Sequence, residues 1–188
     1  MNMRDTGANF ERKKILFLCR INGGRSIMAE AIMNQFSGGL FRAYSAGLEP
    51  VETVPKMVLK VLQSHGIKTG LLRPKSIASL EALGLDFDFV ISTCDRAVGE
   101  ACPTWVGQPV RAHWNIPSPN QMADPNKFEQ ELREMYQLVY RCVNMFLNLP
   151  LEAMDKFALS KTLDEIGEKI MPDHYIASKP TPILAAAS

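Results

Sequence analysis

The sequence predicts an α/β domain on a four-stranded parallel sheet. Three observations carry that prediction. An apolar run, Ile15-Leu16-Phe17-Leu18, is followed by a glycine-containing loop and then by apolar residues at helical spacing. The same strand-then-helix order recurs along the chain, and the strand runs are apolar on both faces, as strands covered from two sides require.

Taken in order, Ile15 to Leu18 reads as the first strand. Met28, Ala29, Ile32, Met33 and Phe36 mark one helix, stopped by Gly38-Gly39. Phe41 to Ala46 is a second strand ending at Gly47. Thr53 and Pro55 open a helix whose Val58, Val61 and Leu62 face inward until His65-Gly66 ends it. Phe87 to Thr93 is a third strand that delivers Cys94, and Val110 to His113 a short fourth. Phe128, Leu132, Met135, Val139, Cys142, Phe146 and Leu149 stripe a long helix over 126–149. After Pro150, an accessory segment places Leu151, Met154, Phe157, Leu163 and Ile166 on an apolar face. The organisation is thus a loose leader over 1–12, one domain over 13–149, an accessory helical segment over 150–171, and a poorly ordered tail over 172–188.

Composition narrows the function. Lys plus Arg is 21 and Asp plus Glu 20 in 188 residues, a net charge of +1, scattered rather than striped. Nucleic acid and anionic membrane are poor partners for such a surface. No run has the length of a membrane span and the polar start lacks a signal-peptide core, so the expected location is cytoplasmic. Four cysteines, Cys19, Cys94, Cys102 and Cys142, then serve as core filling or chemistry rather than structural disulfides, and their spacing does not suggest zinc or another metal.

Cys19 and Arg25 enclose Arg20, Ile21, Asn22, Gly23 and Gly24 between the first strand and its helix. A loop of that kind turns its backbone N–H groups inward, and the helix adds its positive end, so a tetrahedral anion fits there. The same donors favour a thiolate at Cys19, and Arg25 supplies a planar, permanently charged fork for two oxygens. In open α/β sheets the working crevice lies beyond the carboxyl ends of the strands. That rule brings the loops after Cys19, after Cys94 and over 115–125 to one mouth. Cys142, on the helix stripe, reads as core; His113 and Trp114 read as strand and packing residues.

These residues resemble the low-molecular-weight protein tyrosine phosphatase superfamily, and within it the thiol-coupled arsenate reductase branch. The carrying stretches are KKILFLCRINGGRSIMAEAI, FRAYSAGLEP, DFVISTCDRAVGEACPTWVGQPVRAHW and LPLEAMDKFALSKTLDEIG, about residues 13–167. The first occurs in both branches; the third, with Cys94, Cys102 and Pro103, is similar to the reductases. The resemblance implies a three-layer sandwich with flavodoxin-like winding. It implies that Cys19 attacks the oxyanion, Arg25 binds it, Ser26 supports the thiolate and Asn22 braces the loop. It further implies that Cys94 displaces arsenite and Cys102 carries the disulfide outward to an external thiol reductant, thioredoxin or glutaredoxin with glutathione, with no bound cofactor.

The chain departs from the family pattern at two places. Ile21 stands where the family has glycine, and a β-branched residue resists a positive φ; Arg20 beside it either attracts anions or blocks the entrance. Ser118 stands where an Asp-Pro pair usually supplies the general acid, and a hydroxyl is too weak an acid for that task. Asp124, before Pro125, is either that acid or the cap of the long helix. Three functions follow in order: arsenate reduction, phosphatase action through a phospho-Cys19 intermediate, or oxyanion binding and sensing without efficient catalysis. The protein is expected as a monomer or homodimer.

Overall fold

The computed structural model describes residues 12–95, 103–119 and 124–170. Four strands, β1 (Lys13–Cys19), β2 (Phe41–Gly47), β3 (Phe89–Ser92) and β4 (Val110–His113), form one parallel sheet in the order β2-β1-β3-β4. The helices are α1 (Arg25–Phe36), α2 (Lys56–Ser64), α3 (Ile77–Glu81), α4 (Pro125–Leu147) and α5 (Lys156–Lys169), with a 3-10 turn over Leu151–Ala153 before α5. The expected α/β class with a four-stranded parallel sheet is therefore what the chain forms.

Registers fix where the crevice lies. β1 pairs β2 from Lys13↔Phe41 to Cys19↔Gly47, and β3 from Ile15↔Phe89 to Leu18↔Ser92. The order reverses between β1 and β3, which makes the space beyond their carboxyl ends the switch point where ligands collect. Cys19 closes β1 there, and Thr93, whose N–H donates to Leu18 O at 2.7 Å, carries Cys94 out beside it.

Side-chain alternation along β1 builds two cores. Ile15 and Phe17 join α1, α2, α4 and α5 in the larger one, where Phe146 meets Phe41 and Phe89 at ring-centroid distances of 5.3 and 5.2 Å. Such pairs add about 0.5–1.5 kcal/mol each beyond their burial. Leu16 and Leu18 point the other way, to Ala46, Leu80 of α3, Phe87, Val90 and Trp105. β1 is buried on both sides, which is why it reads as an unbroken apolar run.

Side chains finish both outer strands. Asn34 of α1 donates to Ala43 O at 3.0 Å and accepts from Ala43 N–H at 2.9 Å. On β4, Asp164 of α5 accepts from His113 N–H at 2.7 Å, and the Ser160 hydroxyl donates to Arg111 O. Trp114, fully buried, donates its indole N–H to Leu163 O at 3.1 Å. α5 reaches this close because residue 167 is glycine: a Cβ there would lie 2.7 Å from His113 O and 2.8 Å from Trp114 Cα.

Two expectations need correction, on the third strand and on Phe157, and α3 adds a helix that was not expected. The third strand pairs over Phe89–Ser92 only; Phe87 belongs to the second core and Thr93 to the crevice loop. α3 has five residues, too few to show a period. Phe157 does not face inward but is 81% exposed, because α5 seats itself through Leu159, Leu163 and Ile166. The ends, 1–11 and 171–188, lie outside the described residues, and so do Cys102 and Gly99. Among the described residues no helix is long and apolar enough to cross a membrane.

Candidate active site

The loop from β1 to α1 is shaped by one left-handed residue, Asn22, at φ 44°. Asparagine tolerates that region better than a β-branched residue does. Ile21 is not in it, so the substitution of glycine at 21 does not force the strain that the sequence raised. Asn22 is fully buried, and its backbone N–H, Nδ2 and Oδ1 are all engaged. Its N–H donates to Cys19 Sγ at 3.1 Å, its Nδ2 to Ser26 Oγ at 2.8 Å, and its Oδ1 accepts from Lys75 N–H at 2.7 Å. Ser26 Oγ accepts from the amide and lies 2.9 Å from Cys19 Sγ, so its proton is available to the sulfur when that sulfur is a thiolate. Two donors on one sulfur suit an anionic thiolate.

Behind Asn22 stands a partly buried polar group that the sequence did not point to. Lys75 Nζ pairs with Glu30 at 3.0 Å, and the Ser45 hydroxyl donates to the same carboxylate. Burial pushes the Glu30 carboxyl above its ordinary range, against the opposing pull of Lys75 and Ser45. The pair holds the chain at Lys75 against Asn22, and no local pattern links residues 22, 30 and 75. Gly47 was legible only as a strand end. A Cβ there would sit 2.6 Å from Arg20 O and 2.9 Å from Asn22 N, so the anion loop lies directly on it.

The helix start is open to a ligand. Gly24 is the N-cap of α1 without a side-chain hydrogen bond, and no acidic residue occupies the first turn, so nothing there competes with an incoming anion. Arg25, 5% exposed, donates from Nη1 to Ile116 O at 3.2 Å and lines the same cavity as Cys19. That cavity measures about 70 Å³. Cys19 itself is only 1% exposed, so its sulfur is reached through the cavity.

The other sequence candidates are placed as follows. Arg20 neither fills nor guards the entrance: its guanidinium pairs with Glu49 at 3.1 Å, while its carbonyl accepts from Glu49 N–H. Gly23, Gly24 and Ile21 line the cavity, as does Ser118. Ser118 N–H donates to Asp95 Oδ2 at 3.3 Å; Asp95, the buried residue after Cys94, ties the third-strand loop to the fourth. Asp124 caps α4, its Oδ1 accepting from Asn126 and Lys127 N–H groups. Of its two suggested roles the structure therefore displays the cap. Cys94 is fully buried beside the crevice. Cys142 is buried in the core, where desolvation raises its thiol well above the usual range and keeps it a thiol.

The family model for low molecular weight phosphotyrosine protein phosphatase matches residues 14–156. The chain belongs to this family. Within it, a glutaredoxin arsenate reductase from Synechocystis sp. is 31% identical over 108 residues, 57% of this chain and 79% of that protein. An arsenate reductase from Halalkalibacterium halodurans is 32% identical over 108 residues, 57% and 75% of the two chains. Among solved structures, an arsenate reductase in the phosphate binding state superposes with a TM-score of 0.58 at 28% identity, covering 72% of this chain and 96% of that one. An arsenate reductase from Archaeoglobus fulgidus gives 0.53 at 27%, covering 69% and 98%. The loop from Cys19 to Arg25 that the geometry singled out lies inside the matched region.

Proposed function

We propose that this protein reduces arsenate to arsenite. The observation that carries the reading is the Cys19 sulfur, held by Asn22 N–H and the Ser26 hydroxyl in a cavity shared with Arg25, with a second cysteine, Cys94, two residues past the end of the neighbouring strand. Arsenate enters against the loop N–H groups and the Arg25 fork, which neutralise its charge. The Cys19 thiolate attacks arsenic, a sulfur–arsenic bond forms, and the arsenic–oxygen bond to one arsenate hydroxyl breaks, that hydroxyl leaving as water with a proton taken from solvent. The Cys94 thiolate then attacks Cys19 Sγ. The sulfur–arsenic bond breaks with its electron pair on arsenic, which falls from As(V) to As(III) as the Cys19–Cys94 disulfide forms. Cys102 attacks Cys94, frees Cys19, and leaves a Cys94–Cys102 disulfide for an external dithiol to reduce.

Two features favour reduction over hydrolysis. Ser118, not a carboxylic acid, faces the cavity from the fourth-strand loop, and Asp124 is spent on its helix. Relatives named as arsenate reductases, one as a glutaredoxin arsenate reductase, support an external thiol reductant of the thioredoxin or glutaredoxin kind. The test is a paired assay on the reduced protein: arsenate-dependent oxidation of such a reductant, and hydrolysis of an aryl phosphate. Reductant oxidation is expected to vanish in both Cys19→Ser and Cys94→Ser. Turnover that persists in Cys94→Ser, or aryl phosphate hydrolysis that outruns reduction, would replace this reading with the hydrolase.

A further inference from the structure

We propose that Ile21 and Met135 restrict the anion cradle to unesterified tetraoxo anions and exclude aryl and alkyl esters. The inference rests on the oxyanion-binding reading of Cys19 and Arg25 and adds what limits its substrate.

At about 70 Å³ the cavity equals only about two waters at their liquid share of about 30 Å³, the scale of a compact tetraoxo anion rather than of its aryl ester. A phenyl substituent adds six carbons. Its chemistry divides in the same way. The floor is polar, with Cys19, Gly23, Gly24 and Arg25; Ser118 adds a hydroxyl from the fourth-strand loop, and the rest of the wall is apolar, chiefly Ile21 from the loop, Val58 from α2, and Phe128, Leu132 and Met135 from α4. An esterified oxyanion would have to send its organic group out through that wall.

The wall is not a slot waiting for a ring. Val58, Leu132 and Met135 are each 3% exposed and belong to the main core, so displacing them disturbs close packing far from the site. Met135 sits on the lip of the cradle, where a Cβ on Gly24 would lie 3.4 Å from its Cε. Ile21 lines the cavity from the loop, its Cδ1 3.7 Å from a Cβ built on Gly23. A glycine at 21 would remove that side chain from the wall.

The test reads binding directly, by ³¹P NMR titration of the reduced full-length protein with inorganic phosphate and with phenylphosphonate. The wild type is expected to bind phosphate in an Arg25-dependent way and phenylphosphonate at least about tenfold more weakly, the scale at which a closed pocket discriminates. Ile21→Gly and Met135→Ala are each expected to lower that ratio by about fivefold or more. Ile21→Gly lies outside the core and covers the case in which Met135→Ala does not fold. A wild-type ratio within about threefold of unity, or a ratio unchanged in a folded variant, overturns the proposal while leaving the cradle intact. Absence of Arg25-dependent phosphate binding overturns the cradle itself, and the proposal with it.

Discussion

Asn22 concentrates more of the site's geometry than any other single side chain. It orients Ser26, donates to the sulfur and receives Lys75, all from a backbone conformation that alanine adopts with strain. Asn22→Ala is therefore expected to cost about 1–3 kcal/mol, since it leaves Ser26 and Lys75 N–H short of a buried partner. It should also slow alkylation of Cys19 by iodoacetamide at neutral pH; denaturant melts and peptide mass spectrometry read the two effects. Gly47 acts from the opposite side. In Gly47→Ala the new methyl group meets Arg20 O and Asn22 N, so the loop must shift. Turnover should fall by about tenfold or more, the scale at which a small misplacement of reacting groups is felt. The cost in stability should stay near 1–3 kcal/mol. An active Gly47→Ala protein would mean the loop tolerates displacement.

α4 serves the site twice, as the apolar wall and through its capped start. Asp124 separates the two candidate roles by substitution. As a cap, Asp124→Ala should lose about 0.5–2 kcal/mol of stability, whereas Asp124→Asn, which caps as well, should lose little and keep turnover. A general acid would fail in both variants. α5 depends on a contact rather than a charge: Gly167→Ala pushes the helix from Trp114 and should lower stability by about 1–3 kcal/mol in thermal or chemical unfolding. At this scale the sequence was informative where an element is long. The α4 stripe from Leu132 to Phe146 lies buried as its spacing requires, and β1 reads correctly because both its faces are covered. It misled where an apolar residue had no seat, as at Phe157, and was silent for five-residue α3.

Across the whole molecule, the partly buried pair Glu30–Lys75 links the anion loop to stability. The folded state raises the Glu30 carboxyl above 4.5, mainly through desolvation, so folding favours the protonated acid. Its stabilising contribution is full below about pH 4.5 and is lost as pH rises through the raised folded value. Wild type should accordingly lose stability relative to Glu30→Gln as pH climbs through that window, by at most about 1.4 kcal/mol per unit. The opposite slope in chemical melts would refute the assignment. Such long-range links explain what the sequence withheld. Cys19, Asn22, Arg25 and Ser26 are neighbours and announce themselves. Lys75, Gly47 and Asp95 join the site only when the sheet closes, and their partners lie 53, 25 and 23 positions away by number: 75 − 22, 47 − 22 and 118 − 95.

The side chains laid along the two outer strands carry one more consequence. Asn34 saturates the backbone of Ala43, while Asp164 takes the N–H of His113 and Ser160 the carbonyl of Arg111. A foreign polypeptide seeking to extend this sheet by cross-β addition finds those rungs already taken, at both rims. Fibril growth from the native fold would first have to peel α1 or α5 from its apolar bed, so resistance to aggregation is coupled here to the same packing that holds the molecule together.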